Sequence, residues 1–337
     1  MNLFNTTPSA LHFIHSFIDH PYSRRTIYNV RHMEYRKLGS LNVSLVGIGC
    51  NNFGWRIDAG ATRSVVDSAL DAGINFFDTA DVYGGGNSEE FLGAALKGRR
   101  AKAIIATKFG IKMGEGKEGT SPRYVREALD ASLRRLQVET IDLYQIHRPD
   151  PNTPIADTLE VLNEAVSAGK VREIGCSNFS ADQLREARAT RGPHYFASVQ
   201  NEYSLFHREP EAEVLPECAH TDVAFLPYFP LANGLLTGKY RNGQPFPESS
   251  RAKDAFGPKI FTPENLKLTE VLMAFAESRS HTLLELAFSW LAAKPQIRSI
   301  IAGAKTPEQV RANSTAASWV LSPKDLAELD AITKPKH

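Results

Sequence analysis

One feature limits the folds open to this 337-residue chain more than any other, the near-regular return of a short apolar run followed by a helical pattern. Apparent strands start at Val46, Asn75, Ala103, Ile141, Val171, Ala197, Val223 and Arg298, with separations of 29, 28, 38, 30, 26, 26 and 75 residues. Each of the first six intervals has room for one strand, one helix and two loops. Eight such units, with no Ser/Gly linker after Met33, predict an α/β fold of the single-domain (β/α)8 TIM barrel type. The intervening helices carry the expected period, with Val65, Val66, Ala69 and Leu70 in one and Val125, Leu129, Leu133 and Leu136 in another. Ser121-Pro122, Thr153-Pro154, Thr262-Pro263, Thr306-Pro307 and Ser322-Pro323 each put a hydroxyl before a proline, the signature of a capped helix start. Gln309, three residues past Thr306, is expected to complete a capping box.

The ends of the pattern need separate readings. Regular patterning begins at Met33, so residues 1–32 are read as a disordered leader and residues 33–337 as the barrel. Tyr35-Arg36-Lys37-Leu38 and Asn42-Val43-Ser44-Leu45 flank Gly39-Ser40 and predict a hairpin that plugs the N-terminal end of the barrel. The long seventh interval holds an extended polar segment, Gly238 to Thr262, expected to wall or cover the C-terminal face, against the alternative of a tolerated insertion.

Charge and cysteine usage narrow the class of partner. Lys and Arg number 39 against 38 for Asp and Glu, so no field gathers polyanions and nucleic acid is excluded as a partner. No run approaches the 18 apolar residues of a membrane span. Cys50, Cys176 and Cys218 are far apart with no CxxC spacing, which points to a reducing, cytoplasmic setting.

In a barrel of parallel strands, functional groups sit where the strands end. Asp78 ends Asn75-Phe76-Phe77-Asp78, Lys108 ends Ala103 to Lys108, His147 ends Ile141 to His147, and Tyr83 follows Asp78 by five residues. A phenol donates a proton near neutrality only if a cation favours its phenolate, and Lys108 is that cation. An ammonium facing the barrel mouth needs a counter-ion, and Asp78 is available. His147 is then placed to hydrogen-bond a carbonyl oxygen that gains negative charge. No HxH motif is present, and only His147 among ten histidines ends a strand, so no metal site is expected. A dinucleotide-binding GxGxxG is also ruled out, because Gly47-x-Gly49 lacks the third glycine.

Asp78-Thr79-Ala80-Asp81-Val82-Tyr83-Gly84, Ala106-Thr107-Lys108, Gln145-Ile146-His147, Gly175-Cys176-Ser177-Asn178-Phe179 and Gly234-Leu235-Leu236-Thr237-Gly238-Lys239 occur in the order of one known pattern. Together they resemble the aldo-keto reductase superfamily, from about Tyr35 to about Ala331. The resemblance implies an NAD(P)H-dependent oxidoreductase that reduces an aldehyde or ketone, or oxidises an alcohol or aldose, by direct hydride transfer. Tyr83 would be the general acid, Lys108 and Asp78 its tuning pair, and His147 the orienting partner. Ser177, Asn178 and Gln200 would hold the cofactor carboxamide, with Tyr228 stacked on the nicotinamide and Phe229 beside it. Gly49, Cys50 and Asn51 would meet the cofactor at the end of the first strand. Leu231, Gly234 and Leu236 would cradle the pyrophosphate, which suits backbone amides in a glycine-permitted turn. Gly303 and Lys305 lead into a helix N-terminus, and the lysine there favours a 2'-phosphate, hence NADPH over NADH. Gln309 and Asn313 match positions around the adenosine.

The sequence departs from the family pattern in three places. Phe229 stands where many members have serine, Gln309 where some have arginine, and Cys50, read as half-buried and inert, where threonine is frequent. Trp55, Arg56 and Tyr203 are candidate substrate contacts, and the substrate is a small carbonyl compound or sugar. The resemblance leaves open an alternative, a cofactor-sensing auxiliary subunit of a membrane channel with slow turnover.

Overall fold

The computed structural model describes residues 33–190, 192–246 and 257–334. The predicted leader lies outside the described residues, as does the middle of the segment 238–262.

Tyr35–Leu38 (β1) and Leu41–Ser44 (β2) pair antiparallel with Leu38 opposite Leu41, which makes the expected hairpin. Gly39 turns it at φ +52°, and a Cβ there would meet the Glu173 carboxylate that accepts the Ser40 N–H at 2.6 Å. Eight further strands are parallel: β3 (Val46–Gly49), β4 (Phe76–Asp78), β5 (Ile104–Phe109), β6 (Ile141–Ile146), β7 (Val171–Ser177), β8 (Ser198–Glu202), β9 (Ala224–Tyr228) and β10 (Ile300–Gly303). They run in the order β10-β3-β4-β5-β6-β7-β8-β9. The gap between β9 and β10 is closed by Phe225, whose N–H donates to Gln296 O at 2.8 Å and whose carbonyl accepts from Arg298 N at 3.3 Å. The chain is therefore the predicted (β/α)8 barrel.

Strand alternation divides the apolar residues into two cores. Phe76, Ala106, Leu143, Leu226 and Ile301 point inward and pack with Leu38, Leu41 and Val43, so the hairpin seals the inside of the barrel. Phe77, Ile105, Tyr144, Phe225 and Ile300 point outward into the layer shared with the helices. Two residues past the inward layer, the same faces carry Asp78, Lys108, Gln145 and Tyr228, and that step of two turns the apolar plug into a polar rim.

The helices follow their caps. Ser121, Thr262, Thr306 and Ser322 each accept from the N3 amide, opening α3 (Pro122–Leu136), α8 (Pro263–Glu277), α10 (Pro307–Thr315) and α11 (Pro323–Thr333). Two expected caps differ. Thr153 does not cap α4 (Ile155–Ser167), because the helix starts one residue later with Pro154 in the cap position, which leaves the Thr153 hydroxyl outside it, donating to Asp150 at 2.9 Å. Gln309 does not close a box on Thr306, for its Oε1 accepts from Lys305 N at 2.8 Å. Thr306 is more extended (φ −139°) than the boxed caps Ser180 (−76°) and Thr282 (−91°), which turns its own N–H away.

Of the 238–262 segment, Gly238 to Phe246 and Gly257 to Thr262 are described, and Tyr240, Phe246 and Phe261 pack edge-to-face with centroids 4.7–5.9 Å apart.

Candidate active site

A cavity of about 500 Å³ opens at the C-terminal ends of the strands. Its wall includes Asp78 and Tyr83 from the junction after β4 and His147 from the junction after β6. Lys108 lies just beneath, buried, with Nζ 2.6 Å from Asp78 Oδ2 and donating to Thr79 O at 2.9 Å. The same ammonium stands 5.2 Å from the centre of the Tyr83 ring. Asp78 Oδ1 accepts from Gln145 Nε2 at 3.1 Å and Gln200 Nε2 at 2.9 Å, so both carboxylate oxygens are engaged. The His147 ring meets Tyr83 edge-on at 5.8 Å.

Electrostatics assign a protonation state to each group. Burial holds the Tyr83 phenol above its ordinary value; Lys108 pulls it down and Asp78 pushes it up. The expected acidification is thus present as a local pull but is outweighed by desolvation, and the resting side chain is a phenol. Burial disfavours the Lys108 ammonium, yet Asp78 and Tyr83 together keep its pKa above normal. His147 is depressed to about 2 by burial, with Lys108 and Arg148 adding to it, so its imidazole is neutral; its buried Nδ1 has no hydrogen-bond partner among the described residues.

Around this group the wall is suited to a dinucleotide. Asn178, at φ +63°, donates from Nδ2 to His147 O at 3.0 Å and to Ser177 Oγ at 3.1 Å, while its Oδ1 accepts from the Tyr228 hydroxyl at 2.8 Å. Hydroxyl and amide groups at adjoining strand ends beside a phenol face match a carboxamide on a flat ring. After β9, Phe229, Ala232, Asn233 and Gly234 all have positive φ. Three of them are not glycine, so the turn is a strained, preformed one that gathers amides as an anion site does. Gly303, Lys305 and Gln309 line the same cavity at the N-terminal end of α10, where the helix dipole favours phosphate, and Asn313 lines it one turn further along the helix. Gly49, Asn51 and Leu231 line it too.

Five of the candidates named from sequence are not brought to this cavity. Cys50 follows Gly49 and by alternation points outward into the strand–helix core, fully buried with its thiol held well above its ordinary pKa by that burial. Leu236 lies on the apolar side of a short helical turn and is fully buried. Tyr203 packs on Trp290 at 5.0 Å and donates its hydroxyl to Glu211 at 2.7 Å, in the core and away from the wall. Trp55 and Arg56 sit on a tight turn closed by Gly54 N to Ile57 O at 3.0 Å, and neither lines the wall; Trp55 is 65% exposed under the guanidinium of half-buried Arg56. Sequence reasoning passed over Gln145, whose signal was its place two residues before His147 on one strand face. Arg148, Asn233, Thr237 and Lys239 also line the wall; Thr237 and Lys239 stand within a motif of the family pattern, but the sequence assigned none of the four a role of its own.

Behind the site, Asp81 is buried with neither carboxyl oxygen hydrogen-bonded among the described residues, and burial with the nearby Glu89 pushes it up to about 7. Glu89, also buried, is satisfied by Thr107 Oγ1 at 2.6 Å and Arg135 Nε at 2.7 Å. Among the described residues no group of three or more His, Cys, Asp or Glu could hold a metal ion, and no helix is long and apolar enough to cross a membrane.

Fold and cavity define an enzyme barrel with its chemistry gathered at one rim. Comparison with known proteins makes the class particular. A sequence model described as the Aldo/keto reductase family matches residues 45–334. The chain is 35% identical over 313 residues to the aldo-keto reductase YhdN of Bacillus subtilis (strain 168), covering 89% of this chain and 93% of that one. It is 32% identical over 326 residues to a probable voltage-gated potassium channel subunit beta of Oryza sativa subsp. japonica, covering 90% and 98%. The holo form of the aldo-keto reductase AKR11C1 from Bacillus halodurans is similar with a TM-score of 0.76 at 32% identity, covering 90% of this chain and 97% of that one. This chain belongs to the aldo/keto reductase family and is an NAD(P)H-dependent oxidoreductase.

Proposed function

We propose that the protein reduces a small aldehyde, ketone or sugar carbonyl, or runs the reverse oxidation, with Tyr83 as the acid and with NADPH favoured over NADH. The observation that carries this reading is the convergence of Tyr83, the Lys108–Asp78 pair and neutral His147 on one cavity.

When bound, the reduced nicotinamide supplies the hydride that the carbonyl carbon receives. Tyr83 gives its proton to the carbonyl oxygen, and the Lys108 ammonium beside it stabilises the phenolate left behind. Asp78 balances the ammonium, so the pair adds no net buried charge. His147 donates an N–H to the same oxygen without competing for the proton, since its imidazole stays neutral. Ser177, Asn178 and Gln200 orient the carboxamide, Tyr228 supports the ring, and the turn from Phe229 to Gly234 takes the pyrophosphate. Lys305 at α10 takes the 2'-phosphate, with Gln309 and Asn313 nearby. The buried free thiols of Cys50, Cys176 and Cys218 fit a cytoplasmic location.

A Tyr83→Phe variant tests the acid directly. Turnover is expected to fall by about 10²–10⁴-fold while cofactor affinity, read by fluorescence titration, stays nearly constant. Wild-type turnover in that variant would end the assignment. The second reading, a channel-associated cofactor sensor, has the potassium-channel-subunit relative in its favour. The complete set of Tyr83, Lys108, Asp78 and His147 favours catalysis.

A further inference from the structure

The cavity wall holds one arginine, Arg148, directly after His147. It is exposed, and among the described residues it makes no salt bridge, whereas Arg185, Arg208 and Arg279 each pair with two carboxylates. Glu202, whose charge reaches Tyr228 as that of Arg148 does, makes no salt bridge with it among the described residues, and the acid on the wall and the acid next in the chain are engaged elsewhere. Asp78, the only acid on the wall, is bound by Lys108, Gln145 and Gln200. Asp150, two residues on, spends both oxygens on its own loop and on the segment before α3. Its Oδ1 accepts from Asn152 N at 2.9 Å, and its Oδ2 accepts from Thr120 N at 2.8 Å and from Thr153 Oγ1 at 2.9 Å.

Those bonds also fix where Arg148 stands. The loop contains Pro149, Pro151 and Pro154, and a residue before proline is confined to extended backbone. At its start, His147 N donates to Phe109 O at 2.8 Å. The arginine is therefore carried on a rigid, clamped segment, at the acid end of the cavity. Its charge is felt by the two rings there, His147 and Tyr228. A guanidinium with its fork of donors and no carboxylate among the described residues to fill it is built to take a planar or tetrahedral oxyanion.

We infer that Arg148 is a specificity-determining residue that recognises an oxyanion, carboxylate or phosphate, carried by the carbonyl substrate itself. The inference rests on the reductase reading above and adds the substrate class to it. A carbonyl compound with an acidic group would dock its anion on Arg148 while its carbonyl oxygen meets Tyr83 and His147.

Matched substrate pairs test this with NADPH as cofactor: succinic semialdehyde against butanal, and glyceraldehyde 3-phosphate against glyceraldehyde. The quantity read is the ratio of kcat/KM for the anionic member to that for the neutral member. It is expected to exceed one in the wild type for at least one pair, and the pair that does so says which oxyanion is read. In Arg148→Gln that ratio is expected to drop by about 10- to 100-fold, mainly through KM, as loss of a charge-assisted hydrogen bond to ligand would give. Arg148→Lys should recover part of it, and the wild-type ratio should shrink as salt rises. A thermal melt of each variant checks that the fold is kept. Reduction of the neutral aldehydes with the same ratio in wild type and Arg148→Gln overturns this inference alone. Failure to reduce any of the four compounds overturns the reductase reading on which it rests.

Discussion

Replacing Asp81 with asparagine should stabilise the protein, and by an amount that grows with pH. The carboxyl is buried, has no hydrogen bond of normal geometry among the described residues, and is raised from 3.8 to about 7 by burial and by Glu89 on α2 (Asn87–Leu96), against weaker pulls from the Val82 N–H, Arg135 and Lys108. Tyr124 of α3 and Tyr144 of β6 also feel its charge. A carboxyl whose folded-state pKa is raised favours folding fully below its unfolded value and loses that advantage as pH climbs to the folded value. At about 1.4 kcal/mol per unit, three units amount to roughly 4 kcal/mol withdrawn from the native state by pH 8, and about 2 kcal/mol by pH 5. Asparagine has the same shape and no charge to desolvate, so Asp81→Asn removes the slope. Urea unfolding of both proteins at pH 5 and pH 8 reads the difference, which should widen by about 2–3 kcal/mol between the two. A gap that does not change with pH would refute the reasoning, because it would mean that Asp81 is ionised and compensated in the fold throughout that range.

Two further outcomes bear on the cofactor and on the chain's extent. Lys305→Ala should weaken NADPH by about 10-fold or more while leaving NADH nearly unaffected, measured as separate dissociation constants; equal losses would remove the 2'-phosphate role. A chain starting at Met33 should keep the melting temperature and kcat/KM of the full protein, and a clear fall in either would assign residues 1–32 a part in the barrel.

Much of the site could be read in the sequence because two periodicities carry it. Strand alternation places Asp78 two residues past Phe76, Lys108 two past Ala106 and Gln145 two past Leu143, so each polar group inherits the inward direction of an apolar one. The same rule should have removed Cys50, one residue past cavity-lining Gly49, from the cofactor candidates. Loops have no such period. Adjacency to a strand end makes Trp55 and Arg56 candidates for the substrate, yet they sit on a turn four residues long and neither lines the cavity. Tyr203 follows β8 but its ring enters the core between Phe225 and Trp290, a pairing across 87 residues that no local pattern reports. The protonation states were out of reach for a related reason. Lys108 could be recognised as the partner of Tyr83, but the desolvation that outweighs it depends on how completely other elements bury both.

The amino-acid order alone determined the eight-stranded barrel, the hairpin that plugs it and the strand-end residues of the acid group, since period, cap and alternation are local properties of neighbouring residues. Tertiary structure alone decided which loop side chains face the cavity, that the resting tyrosine is a phenol, and that Arg148 is left without a carboxylate partner among the described residues. Burial and pairing are sums over residues distant in the chain, and folding is what brings those residues together.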